Sequence, residues 1–99
     1  MKGYRLDQGK LKWSLLDWEA MEEAILVLMF GESKYGPDNY KHGLPREGVL
    51  NSMQRHLVAL HKGEEIDNES QRHHAAHIIC NAMMYLNNYS HDKFTDNVG

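Results

Sequence analysis

Two punctuation points constrain this chain more than any other feature: the cluster Tyr35-Gly36-Pro37-Asp38-Asn39 and the glycine at Gly63. The stretches they separate carry apolar residues at helical spacing, and nowhere does the two-residue alternation of a strand persist. The first stretch starts at Ser14 or Asp17, either of which can cap a helix, and runs Leu16, Ala20, Ala24, Val27, Leu28. The second opens at Pro45 with Glu47 in its first turn, carries Leu50, Met53, Leu57 and Leu60, and stops at Gly63. The third is capped by Asp67 or Asn68 and shows Ala75, Ile79, Ala82 and Leu86. Three helices joined by loops predict an all-α, compact helical domain. Residues 1–13 read as an N-terminal arm, 14–89 as the domain, and 90–99 as a flexible tail that frays. With 99 residues there is one domain with a thin core, so a homo-oligomer, dimer or tetramer, is expected to complete it.

Charge narrows the partners. A net charge of −3 speaks against polymeric nucleic acid, whose binders show a basic excess. It leaves a nucleotide substrate open, because bound metal can supply the positive charge a triphosphate needs. The single cysteine, Cys80, sits in the apolar run Ile78-Ile79-Cys80 and reads as a small buried hydrophobe, not a nucleophile. The first thirteen residues lack an apolar signal core, and the longest apolar run, Ala24 to Phe30, is too short to span a bilayer. The expectation is a cytoplasmic protein without membrane contact.

Glu19, Glu22 and Glu23 lie at i, i+3 and i+4 and share one side of the first helix. A solvated acidic face near a helix start explains them; so does a metal site. The run Ala24-Ile25-Leu26-Val27-Leu28-Met29-Phe30 that follows is apolar all round, which predicts a covered helix and half-buried carboxylates beside it. Carboxylates held that close repel, and a divalent cation relieves the repulsion.

On the third helix His74, His77 and Asn81 fall at i, i+3 and i+7, with His73 beside them. They suit a metal, and surface histidines account for them equally well. His56 borders the apolar face of the second helix and is either a satisfied core histidine or a proton acceptor. Arg55 beside it is either a bidentate phosphate ligand or plain surface charge. The loop Lys34-Tyr35-Gly36-Pro37-Asp38-Asn39-Tyr40 combines a cation, aromatic rings and an amide, which suit phosphate, base stacking and base edge; an ordinary turn has the same composition. His91-Asp92 matches a metal-binding dipeptide but stands in the tail.

Taken in order, several segments resemble a phage-associated family, the MazG-like dATP/dGTP pyrophosphohydrolases. They are Lys10 to Leu16, then Trp18 to Ala24, Phe30 to Gly36 with Asn39-Tyr40 and Gly43, Arg55-His56-Leu57, Gly63-Glu64, Asp67-x-Glu69-Ser70, and His74-x-x-His77 leading to Asn81. The resemblance implies an all-α, usually oligomeric fold and cleavage of a purine dNTP to monophosphate and pyrophosphate with Mg²⁺ or Mn²⁺. On that pattern Glu19, Glu22 and Glu23 hold metal with His74, His77 and Asn81. Lys34, Tyr35, Asn39 and Arg55 bind substrate, and a glutamate of the cluster, Glu23, or else His56 takes the proton of the attacking water. The chain departs from the broader MazG pattern where a partner helix carries Glu-x-x-Asp; His74-x-x-His77 and Asn81 stand there instead, which tilts the ion toward Mn²⁺. Two other readings remain: a non-catalytic helical assembly protein using Ala24 to Phe30 as its surface, and a nucleotide-binding relative without turnover.

Overall fold

A computed structural model describes residues 9–96. After a short 3₁₀ turn, Trp13–Leu15, come three α-helices: α1 (Trp18–Tyr35), α2 (Arg46–His61) and α3 (His74–Ser90), with a second 3₁₀ turn, Asn39–His42, between α1 and α2. Asp17 starts α1, its side chain accepting from Ala20 N at 3.2 Å. Gly36, at φ 90°, ends it in a conformation that favours glycine. Pro45 immediately precedes α2. At its other end Gly63 N donates to Leu60 O and Glu64 N to Ala59 O, both at 2.9 Å, the reciprocal pair of a Schellman stop. The all-α expectation and the ends of the first two helices therefore hold.

The start of the third helix does not. α3 begins at His74, and its cap is His73, whose Nδ1 accepts from Ala75 N at 2.9 Å. Asp67 spends its carboxylate on a local turn instead: Oδ2 accepts from Ser70 N at 2.8 Å and from Ser70 Oγ at 2.7 Å. Gln71 takes a left-handed φ of 61°, and an isolated antiparallel bridge pairs Ile66 with His73. A cap-like sequence here closes a loop, not a helix.

α3 is the shared element, packing on α2 and on α1. Its contact with α1 is made by small side chains: Ala24 and Val27 meet Ala76 and Cys80, with Leu28, Ile79 and Met84 around them. Small residues let the backbones approach, and Cys80 Sγ donates to Ala24 O at 3.1 Å. Cys80 is buried as expected, and burial pushes its thiol up to about 11. The stripe expected on α3 is shifted: Leu86 is 64% exposed, while the buried positions are His74, Ala76, Cys80 and Asn88. The run after the acidic cluster is likewise not covered on every side, with Ile25 51% and Met29 57% exposed. Among the described residues no helix is long and apolar enough to cross a membrane.

The chain's end also departs from expectation as far as it is described; residues 97–99, and residues 1–8 of the expected arm, lie outside the described residues. Residues 91–96 fold back as a strap. Phe94 is buried against Tyr85, ring centroids 4.9 Å apart. Thr95 N donates to Leu44 O at 3.0 Å. Gly43, at φ 114°, is required beneath it, since a Cβ there would lie 2.9 Å from Lys93 O. Asp96 accepts from Arg46 N at 2.7 Å and Glu47 N at 3.0 Å, so the strap caps the start of α2 from fifty residues away.

Those backbone hydrogen bonds, from Glu47 first and then Arg46, hold the Asp96 carboxyl below its usual value of 3.8. A depressed carboxylate stabilises the fold above its unfolded pKa, and the contribution is lost as pH falls through the folded one. The Arg46 and Glu47 amide resonances should therefore titrate together with a midpoint below 3.8. In Asp96→Asn that shared titration should vanish; its persistence would mean another group reports there.

Candidate functional site

The loop after α1, the inner side of α2 and the middle of α3 enclose a cleft of about 680 Å³. At one wall stand Lys34 and Tyr35 from the end of α1 and Asn39 from the following turn; Arg55 and His56 come from α2, and His77 and Asn81 from α3. Asp67 and Glu69 of the loop before α3 close the remaining side. All four residues expected to bind substrate thus line one space with two of the expected metal ligands and one expected proton acceptor.

The chemical end of the cleft is a cluster of imidazoles. His56 Nδ1 lies 2.8 Å from His74 Nδ1, and the His56 ring stacks on His77 with centroids 4.3 Å apart and planes 9° apart. These contacts arise because α2 presents His56 to the first turn of α3, where His74 and His77 sit one turn apart. His74 is buried, His56 and His77 half-buried. Burial, with His77 and His74 nearby, pulls His56 down to about 4, so it is neutral at ordinary pH. Burial also lowers His77, although Asp67 opposes it.

Asp67 anchors the cluster. Its partial burial disfavours charge, but the hydrogen bonds from Ser70 N and Oγ outweigh that and hold the carboxyl below its usual range. An ionised carboxylate only accepts, so the Ser70 hydroxyl proton points to Asp67. Ser70 Oγ is then left to accept from His77 Nε2, 2.7 Å away. That arrangement fixes His77 with its proton on Nε2 and its basic lone pair on Nδ1.

Among the described residues, His56, Asp67 and His74 form a group whose ligand atoms all lie within 4.8 Å of one another. Sequence reasoning placed His74 and His77 here and kept His56 for proton transfer. It missed Asp67, which it read as a helix cap, although Asp67-x-Glu69-Ser70 stood among the matched segments. Asn81, expected as a ligand, donates to Ser52 Oγ at 3.0 Å.

The acidic helix is elsewhere. Glu19, Glu22 and Glu23 are exposed, and none of them lines the cleft. The expectation of half-buried carboxylates is corrected: α1 turns its small residues, Ala24 and Val27, toward α3 and leaves the acids in water. Lys34 is reached instead by Glu69, with Nζ 2.6 Å from Oε2, and lies 5.3 Å from the Tyr35 ring centroid. Both partners are well exposed, so a competing phosphate can displace the pair.

Comparison with known proteins gives the same direction. Residues 1–98 match the family model described as dATP/dGTP diphosphohydrolase, N-terminal. A protein of Salmonella phage PMBT28 named dATP/dGTP diphosphohydrolase is 42% identical over 83 residues, covering 84% of this chain. The chain spans 28% of that relative's length. No solved structure matches.

Proposed function

The chain belongs to the dATP/dGTP diphosphohydrolase N-terminal family, and from that premise we propose that its cleft binds a purine deoxynucleoside triphosphate and cleaves it to monophosphate and pyrophosphate with a divalent ion. The observation that supports this reading best is the convergence of Lys34, Tyr35, Asn39 and Arg55 on the cleft that holds His56, Asp67 and His77. A cation and a guanidinium suit the phosphates, an aromatic ring suits the base, and an amide suits its edge. Purine preference comes from the family's description; no residue in the cleft separates adenine from guanine.

The donors that fit a divalent ion are His56, Asp67 and His74, two imidazoles and one carboxylate. Bound there, the ion supplies charge for the phosphate oxygens and lowers the pKa of a water. The chain's residues do the rest. Lys34 exchanges Glu69 for phosphate, and Arg55 grips a second phosphate group with its fork. With His56 taken as a donor and Glu23 outside the cleft, the proton of the attacking water goes to His77. Its Nδ1 is the basic nitrogen, and Asp67 steadies it through Ser70.

Copies of the chain are proposed to associate through the exposed apolar side of α1, where Trp18, Ile25 and Met29 are each more than half exposed. Sedimentation that shows only monomers at assay concentration would remove that part.

Incubation of the chain with each dNTP and Mn²⁺ should release pyrophosphate, fastest from dATP or dGTP. Orthophosphate as the sole inorganic product, or no turnover with any dNTP, would contradict the assignment.

A further inference from the structure

Three imidazoles and one carboxylate in a single cluster are an unusual setting for a magnesium ion. Mg²⁺ is a hard ion that takes oxygen ligands, often through several waters, whereas imidazole suits the first-row transition metals. We propose that His56, Asp67 and His74 form a site for a first-row transition-metal ion, selected against Mg²⁺ and formed without the acidic residues of α1. This deepens the reading of the cleft as a metal-dependent site and rests on it.

The donors already converge. The Nδ1 atoms of His56 and His74 meet at 2.8 Å, and the ligand atoms of His56, Asp67 and His74 all lie within 4.8 Å of one another. Three protein donors leave room for phosphate oxygens and water.

The donors are also prepared for an ion. Both hydrogen bonds to Asp67 fall on Oδ2, as does the 3.6 Å approach of His77 Nε2. Among the described residues no hydrogen bond falls on Oδ1, which is free to ligate. The Ser70 bonds fix the carboxylate's orientation, the role that outer partners of a metal ligand play. The stack of His77 on His56 fixes that ring in turn. The carboxylates of Glu19, Glu22 and Glu23 form no such group among the described residues.

The chain titrated with Co²⁺, followed by calorimetry and visible absorption, should bind one ion per chain. Ni²⁺ should displace it, Mn²⁺ should do so only in excess, and Mg²⁺ in thousandfold excess should not. His74→Asn and Asp67→Asn should each weaken binding by 100-fold or more. Ser70→Ala should weaken it about 10- to 100-fold. The combined Glu19→Gln, Glu22→Gln, Glu23→Gln variant should bind as the parent does.

Because a cluster variant that fails to fold would lose binding trivially, the unmutated chain carries a second test. Mn²⁺ should broaden the amide resonances of His56, Asp67 and His74 first. Broadening centred on Glu19 to Glu23, or displacement of Co²⁺ by comparable Mg²⁺, would overturn the proposal. A Co²⁺ site without dNTP turnover would overturn the hydrolase reading and leave this inference standing. Turnover on Mg²⁺ with no Co²⁺ site would do the reverse.

Discussion

Replacing Asn88 with alanine is expected to destabilise the chain by roughly 3 kcal/mol, measured as a shift in urea midpoint at unchanged slope. Asn88 is fully buried on the inner side of α3. Its Oδ1 accepts from Leu44 N at 2.9 Å, and its Nδ2 donates to Tyr40 O and Met84 O, each at 3.0 Å. Truncation leaves Leu44 N and Tyr40 O facing an apolar gap, and stranded buried groups cost more than the bond itself was worth. Against a total stability of about 5–15 kcal/mol the loss is large. Asn87→Ala is the control, because the buried Oδ1 of Asn87 has no partner among the described residues and its removal strands none of them. Equal losses for the two variants would show that volume, not hydrogen bonding, governs this face. The effect should also reach the cleft, since Tyr40 and Leu44 belong to the segment that lines it beside Asn39.

Asp67→Asn is expected to reduce dNTP turnover at least 100-fold, a loss of roughly 3 kcal/mol of transition-state stabilisation. The amide keeps the shape of the side chain and removes the charge that serves both Ser70 and the proposed ion. Lys34, Tyr35 and Arg55 do not contact Asp67 by any hydrogen bond or ion pair among the described residues, so the substitution should leave their hold on the nucleotide in place and lose only the ion's share of it. The signature is therefore a fall in kcat larger than the rise in KM. Glu23→Gln, at an exposed position outside the cleft, should turn over normally. Loss of activity in Glu23→Gln with retention in Asp67→Asn would return the metal to the acidic helix.

Local signals in the sequence located the elements well where backbone chemistry decides. Asp17, Gly36, Pro45 and Gly63 mark helix ends through caps, a fixed φ and positive φ, all properties of one residue and its neighbours. The same logic failed at Asp67, where cap and turn use identical hydrogen bonds and only the left-handed Gln71 and the Ile66–His73 bridge choose the turn. It could not rank Asn87 above Asn88 or the reverse, since which amide meets Leu44 is settled by packing across forty-four positions.

The site was legible in parts. His56, His74 and His77 stood out individually, but their convergence depends on the α2–α3 packing, which no spacing along one helix encodes. The loop residues Lys34, Tyr35 and Asn39 were picked out by chemistry and by resemblance, and the fold turns them toward the histidines. The acidic helix misled because an all-apolar run after it suggested cover. The structure supplies cover on one side only, so Ile25 and Met29 remain exposed and the glutamates solvated.

The central claim is that the loop after α1 and the histidine–aspartate cluster form one nucleotide site. The most direct measurement is an amide-resonance titration of the chain with a dATP analogue whose α–β bridge is a methylene group, in metal-free buffer. Tyr35, Asn39, Arg55 and His77 should shift together on a single saturation curve, while Glu19, Glu22 and Glu23 stay in place. Shifts confined to the acidic turn of α1, or separate curves for the loop and the cluster, would contradict it.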